Sequence, residues 1–345
     1  MALPETAYEL PFNITRASHV ELLVADLERS LRFYVEVIGL AITERDDGAA
    51  YLRGVEEACH HSLVLRVGAD APQCVRIAFR VFTDEQLDRL AEHLAALGLG
   101  LVWADRPHQG RTLHVSDPGG VPLEFCARMP VQPRLLTRFH LHRAGTALRL
   151  DHFQLHVPEV RSLCAFYTGL GFRISEYVTP DDDALVAVFL QRKGNPHDLV
   201  LFAGPGPRLH HVAFTTPDTH TLVRACDVAG ELGYGLEVER GPGRHGPGHA
   251  LYAYMRDPDG HRVELFTTHY QTLDIDDEPV RWDPRDPSFG MPWGLPARRT
   301  WHEEASPFAG VQPAGSFAAS GPVALEDFLA SGPGDHAKDP PGEHD

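Results

Sequence analysis

Hydrophobic and polar positions along the first 270 residues switch between two periods. Stretches of period two read as strands, and stretches of period 3.6 between them read as amphipathic helices. Residues 19–40 (HVELLVADLERSLRFYVEVIGL) begin as a strand, enter a helix at an acidic start and stop at glycine. Residues 152–172 (HFQLHVPEVRSLCAFYTGLGF) repeat the plan, with Tyr34 and Tyr167 each 15 residues after the leading His19 and His152. A second pair is as clear. Asp117-Pro-Gly-Gly and Asp257-Pro-Asp-Gly are tight turns feeding strands, with Glu124 and Glu264 seven residues on.

The remaining pattern fits the same unit. Strands are expected at Ala49–Arg53, Ser62–Arg66, Val75–Val81, Ala184–Gln191, Asp198–Phe202 and Leu209–Thr215. Helices are expected at Thr83–Leu97, capped by Thr83 or Asp84 and stopped by Gly98, and at His220–Leu232. The predicted fold is α+β, four βαβββ modules at about 15–67, 74–128, 148–203 and 208–267. An extension (1–14) precedes an N-terminal domain (15–128), a linker (129–147) and a C-terminal domain (148–267). Beyond Thr268 the pattern stops. Residues 268–305 read as a lid whose Trp282, Trp293 and Trp301 need burial, and 306–345, rich in Gly, Pro, Ala and acid, as a flexible tail.

Composition narrows the partners. With 48 acidic against 31 basic residues, the net charge of −17 argues against nucleic acid or an anionic membrane surface. No apolar run is long enough to span a bilayer, and the N-terminus lacks the pattern of a signal peptide. Five dispersed cysteines without Cys-x-x-Cys spacing suit reduced thiols and a cytoplasmic location.

Candidate chemistry centres on Arg-Leu-His-His-Val-Ala-Phe, residues 208–214. Neighbours on a strand face opposite ways, so only one of His210 and His211 faces a given interior. His152 and Glu264 sit in similar apolar strands. Two imidazoles and one carboxylate on separate strands are the inventory of a facial triad with open positions, suited to non-haem Fe(II). A lone histidine in such a strand is more often a core residue; the case rests on equivalent places in a repeat. Aligning the halves pairs His152 with His19, Glu264 with Glu124 and His211 with Arg76. An arginine has no lone pair to give a cation, so the first half is expected to hold no metal. The alignment selects His211 over His210, and a one-residue slip would exchange them.

These motifs resemble the vicinal-oxygen-chelate superfamily, and within it the type I extradiol ring-cleavage dioxygenases, of which the homoprotocatechuate and catechol 2,3-dioxygenases are members. The stretches Arg149-Leu-Asp-His-Phe, Arg192 to Asp198, Pro207 to Phe214, Glu239 to Gly246, Tyr252-Ala-Tyr254, Asp257 to Glu264 and Trp293-Gly carry the likeness. It implies Fe(II), or Mn(II), on His152, His211 and Glu264, and O2 and a catechol as substrates. The product would be a ring-opened hydroxymuconic semialdehyde. It implies acid–base work for His197, and hydrogen bonds to substrate from Tyr254 and His245. It implies a substrate-binding group of Arg240, Arg244, Phe189 and Gln154, a C-terminal lid and a homotetramer. The chain departs from the homoprotocatechuate pattern where Gln154 replaces an asparagine and Phe189 a tryptophan, and near Phe289-Gly290, where a lid arginine is missing. Two other readings compete: a glyoxalase-like isomerase or thiol transferase on the same fold, and a metal-free binding protein. Ligands gathered in one half disfavour the first, and an intact ligand set disfavours the second.

Overall fold

The computed structural model describes residues 2–68, 70–181, 184–290, 292–317 and 324–331. Eight strands, β1 (Ile14–Val24), β2 (Ala41–Arg45), β3 (Ala49–Arg53), β4 (Leu63–Val67), β5 (Gln73–Val81), β6 (Leu101–Arg106), β7 (Gly110–Ser116) and β8 (Pro122–Cys126), make one sheet. Their order is β2-β3-β4-β1-β5-β8-β7-β6. The next eight are β9 (Arg149–Val157), β10 (Arg173–Val178), β11 (Ala187–Gln191), β12 (Leu199–Ala203), β13 (Arg208–Thr215), β14 (Val238–Arg244), β15 (Leu251–Arg256) and β16 (Arg262–Thr267). They form a second sheet in the order β10-β11-β12-β9-β13-β16-β15-β14, which is the first order repeated. β17 (Val280–Trp282) extends it beside β10, and β18 (Ser306–Pro307) pairs β13.

Four helices complete four βαβββ units: α1 (Leu27–Arg32, continuing as a wider π turn), α2 (Asp84–Ala96), α3 (Val160–Gly169) and α4 (Thr219–Glu231). The carboxylates of Asp26 and Asp218 and the hydroxyl of Thr83 accept the amides three residues on, capping three of them; α3 starts at Glu159 without a side-chain cap. The two modules of each half meet along one antiparallel seam, β1 on β5 and β9 on β13. Gly39 ends the first helical segment at φ +83, and a Cβ there would lie 2.3 Å from the Thr146 amide nitrogen, so only glycine lets the chains pass.

The two repeated sequence motifs find each other across the halves. The Tyr34 hydroxyl donates to Asp257 at 3.0 Å, and that of Tyr167 to Asp117 at 2.9 Å. The N-terminal half therefore closes the last turn of the C-terminal half, and the reverse. Burial pushes the Asp117 carboxyl up to about 6, against amide and tyrosine hydrogen bonds that favour its charged form. One apolar core runs through both halves, with Phe79 packed against Phe125, Phe153, Tyr167 and Phe172.

Three expectations need correction. The strand read from Ala184 begins at Ala187, because the Ala184 amide is tied to the Asp181 side chain in a turn. Trp282 and Trp301 are partly buried, but Trp293 is half exposed. The tail is not flexible from 306. Ser306 pairs Leu209, the Ala309 amide donates to Cys74 O at 2.8 Å, Ala314 bridges Gly206, and Phe308 is buried. The start of β13, which extends past β16, and a buried phenylalanine overcame the Gly- and Pro-rich composition there. Leu325–Ser331 is helical; 318–323 and 332–345, also assigned to the tail, lie outside the described residues. Among the described residues no helix is long and apolar enough to cross a membrane.

Candidate active site

The second sheet brings three sequence-predicted residues to one point. β13 lies between β9 and β16, and Ala213 pairs both His152 and Glu264. His211, two residues before Ala213, points to the same face. His152 Nε2 lies 3.2 Å from His211 Nε2 and 3.3 Å from Glu264 Oε2, and His211 Nε2 lies 3.2 Å from Glu264 Oε2. All three residues are buried and could hold a metal ion. That spacing suits one face of an octahedron with ligand distances of about 2.3 Å.

Neighbours settle which nitrogen each histidine offers. Asp151 Oδ2 sits 3.0 Å from His152 Nδ1, and Asn195 donates to the other Asp151 oxygen at 2.8 Å. His210 Nε2 donates to Trp301 O at 2.7 Å, which leaves its Nδ1 to accept from His211 Nδ1 at 2.7 Å. With both rings neutral, both Nε2 atoms present lone pairs to the site. Burial would raise the pKa of Glu264, but hydrogen bonds from His152, His211 and His245, donated when these rings carry the proton that a cation would replace, keep it well below the carboxylate range. Burial pushes His211 down to about 4, outweighing Glu264. For His152 burial is outweighed by its bonds to Asp151 and Glu264, which hold its pKa above the usual value. Asp151 and His210, which set these orientations, were not picked out from the sequence as site residues; Asp151 preceding His152 was the available signal.

The other predicted residues distribute around this centre. The His197 ring stands 4.2 Å, centroid to centroid, from that of His152 and 5.3 Å from Phe189. It is buried, its Nδ1 has no partner among the described residues, and burial with the charge of His152 drives its pKa well below 6.5. His245 Nε2 lies 2.9 Å from the Tyr254 hydroxyl and 3.4 Å from Glu264 Oε1, and its ring stacks on Tyr252. Gln154 pairs His211 across the β9–β13 seam and lies on the His152 face. Arg240 lies buried with its guanidinium 4.1 Å from the Trp301 ring centre, and it donates to Gly290 O at 2.9 Å. Arg244 does not join the group: it is exposed and donates to His249 O.

A buried carboxylate missed in the sequence ties the segment after β16 to this site. Glu176 on β10 accepts from the Gly248 amide (2.7 Å), the Tyr270 hydroxyl (2.8 Å) and the Trp282 indole (2.5 Å). Nothing near Glu176 in sequence marks it, since its donors come from three later segments.

The equivalent place in the first sheet is filled differently. Ala78 pairs both His19 and Glu124, as Ala213 does His152 and Glu264, so the register equates Arg76 with His211. Glu124 accepts from His19 Nε2 at 2.9 Å, His114 Nε2 at 2.7 Å and Gln109. The guanidinia of Arg76 and Arg106 stand 3.8 and 3.7 Å from it.

The sheet order and this donor set define a class. The model of the Glyoxalase/Bleomycin resistance protein/Dioxygenase superfamily matches residues 16–125 and 149–265, and the chain belongs to that superfamily as an extradiol ring-cleaving dioxygenase. Metapyrocatechase of Pseudomonas sp. (strain CF600) is 31% identical over 291 residues, 79% of this chain and 92% of that one. The manganese-dependent 2,3-dihydroxybiphenyl 1,2-dioxygenase of Geobacillus genomosp. 3 is 28% identical over 296 residues, 81% of this chain and 93% of that one. The solved structure of homoprotocatechuate 2,3-dioxygenase from Arthrobacter globiformis superposes with a TM-score of 0.85 at 37% identity, covering 92% of this chain and 98% of that one.

Proposed function

We propose that the chain cleaves a catechol beside its diol, inserting both atoms of O2 to give a hydroxymuconic semialdehyde, at one Fe(II) held by His152, His211 and Glu264. The carrying observation is the meeting of three buried donor atoms 3.2–3.3 Å apart on neighbouring strands. Mn(II) is the alternative occupant. When bound, the metal supplies a template for diol and O2 and a path for electrons between them.

The chain's own residues supply the rest. Asp151 and His210 keep both Nε2 lone pairs aimed at the metal. His197, neutral because it is buried, takes a proton from the diol and later returns it to oxygen. The His245–Tyr254 pair offers hydrogen bonds to a substrate oxygen. Phe189 and Gln154 flank the ring. Arg240 has no acidic partner among the described residues, which favours a catechol with an anionic side chain, such as 3,4-dihydroxyphenylacetate. Where a lid arginine is missing, Gly290 offers its carbonyl to Arg240, so a single arginine serves that anion. A homotetramer and a cytoplasmic location belong to the same proposal; five free cysteines suit a reducing compartment.

Metal-replete protein incubated with 3,4-dihydroxyphenylacetate and with plain catechol tests this reading through oxygen uptake and the visible spectrum. A yellow product with higher kcat/KM for the first supports it. Preference for plain catechol overturns the Arg240 role, and no oxygen uptake with either overturns ring cleavage.

A further inference from the structure

The first sheet carries a second convergence of donors, beside the Glu124 cluster and sharing no residue with it. Glu44 on β2, His60 before β4 and His108 in the β6–β7 turn bring one ligand atom each within 4.8 Å of one another. His60 Nε2 lies 3.3 Å from Glu44 Oε2, and His108 Nδ1 lies 3.5 Å from the same oxygen. β2 and β6 are the two edge strands of the sheet, so its curvature is what brings these residues together.

A chain of hydrogen bonds decides what His60 offers. Gln109 donates its amide to Glu124, so its carbonyl oxygen faces His61 Nε2 at 3.0 Å and that nitrogen must donate. His61 Nδ1 then accepts from His60 Nδ1 at 3.1 Å. With both imidazoles neutral, as burial favours, His60 Nε2 carries a lone pair. That lone pair and a Glu44 carboxylate oxygen then face each other across 3.3 Å as two acceptors, an arrangement a cation would relieve. The same relay, histidine to histidine to a fixed acceptor, aims His211 in the other half. His60 is anchored and the His108 ring stacks parallel on it, centroids 4.2 Å apart, so His108, a quarter exposed, turns to share an ion with it; Glu44, half exposed, is free to follow, with water in the remaining positions.

We propose that Glu44, His60 and His108 bind a divalent transition cation of the zinc class, clamping the two edges of the N-terminal sheet. The site is separate from the proposed catalytic metal and shares no ligand with it.

The test titrates Zn(II) into full-length protein already loaded with its catalytic metal, followed by calorimetry and metal analysis. One further equivalent is expected, accompanied by a rise in Tm. Glu44→Gln, at an exposed position that cannot unfold the chain, should weaken that equivalent at least 10-fold and leave ring-cleavage activity unchanged. His60→Asn should remove it. In His211→Ala the equivalent should persist. Absence of a further equivalent overturns the proposal. So does its survival at full affinity in both Glu44→Gln and His60→Asn, or its loss in His211→Ala.

Discussion

Glu124 and Glu264 occupy the same place in two copies of one sheet, and the chain neutralises them in opposite ways. Around Glu124 the compensation comes from the protein: hydrogen bonds from His19 and His114, with the guanidinia of Arg76 and Arg106 beyond. Around Glu264 the ion-pairing groups among the described residues are histidines, and burial pushes one of them, His211, down to about 4. A buried charged carboxylate is costly unless it is hydrogen-bonded, ion-paired or bound to a metal. The first half carries its own cation as guanidinium; the second half leaves room for one from solution. Among the three ligand positions, one change, histidine for arginine two residues before the central alanine, separates the ion cluster from the proposed metal centre.

The largest effect should come from taking a donor out of the second half. His211→Ala should lower ring cleavage by at least about 10³-fold and release the metal, as assayed by oxygen uptake and metal analysis. The reciprocal change, Arg76→Ala, should leave both at wild-type levels. Next comes the proton carrier. His197→Asn should lower kcat by about 10²–10⁴-fold while metal content stays at wild type, which separates proton transfer from ligation.

The third effect is on stability. Glu124→Gln should destabilise the fold by about 3 kcal/mol in denaturant titrations, because Arg76 and Arg106 are left facing a neutral amide. Its pH dependence has a definite sign. Burial alone would raise the Glu124 pKa, but hydrogen bonds from His114 and His19 hold it well below the ordinary range. A carboxylate depressed in the folded state contributes stability above its unfolded pKa, about 4.5, and loses it progressively as pH falls below that. Wild type should therefore lose stability between about pH 5 and 3 more steeply than Glu124→Gln. Equal slopes would mean that the cluster does not hold the carboxylate charged.

The smallest effect concerns the hydrogen-bonded pair beside Glu264. Tyr254→Phe should cost about 1–2 kcal/mol of transition-state stabilisation, roughly a 10-fold loss in kcat/KM, with metal content unchanged.

Much of this contrast is written in local sequence. The Phe-Tyr pairs 15 residues after His19 and His152, and the Asp-Pro-x-Gly turns before Glu124 and Glu264, mark the repeat, and Arg76 against His211 marks its break. The four helices and most strands follow from period and caps. What could not be read there depends on distant segments. Asp151 and His210 matter through partners at Asn195 and Trp301. Glu176 collects donors from residues 248, 270 and 282, and Glu44, His60 and His108 meet only because the sheet curls. The tail illustrates the opposite error. Its composition reads as disordered, yet the start of β13, which extends past β16, and the burial of Phe308 order residues 306–309, and Ala314 bridges Gly206. Arg244, adjacent in sequence to His245, is carried to the surface by the strand's alternation.

Anomalous diffraction at the iron edge, on crystals of Fe(II)-loaded protein, addresses the contrast between the two halves most directly. The account expects a peak within bonding distance of His152 Nε2, His211 Nε2 and Glu264, and none among His19, Arg76 and Glu124. Density beside Glu124, or none beside Glu264 in catalytically active crystals, would contradict it.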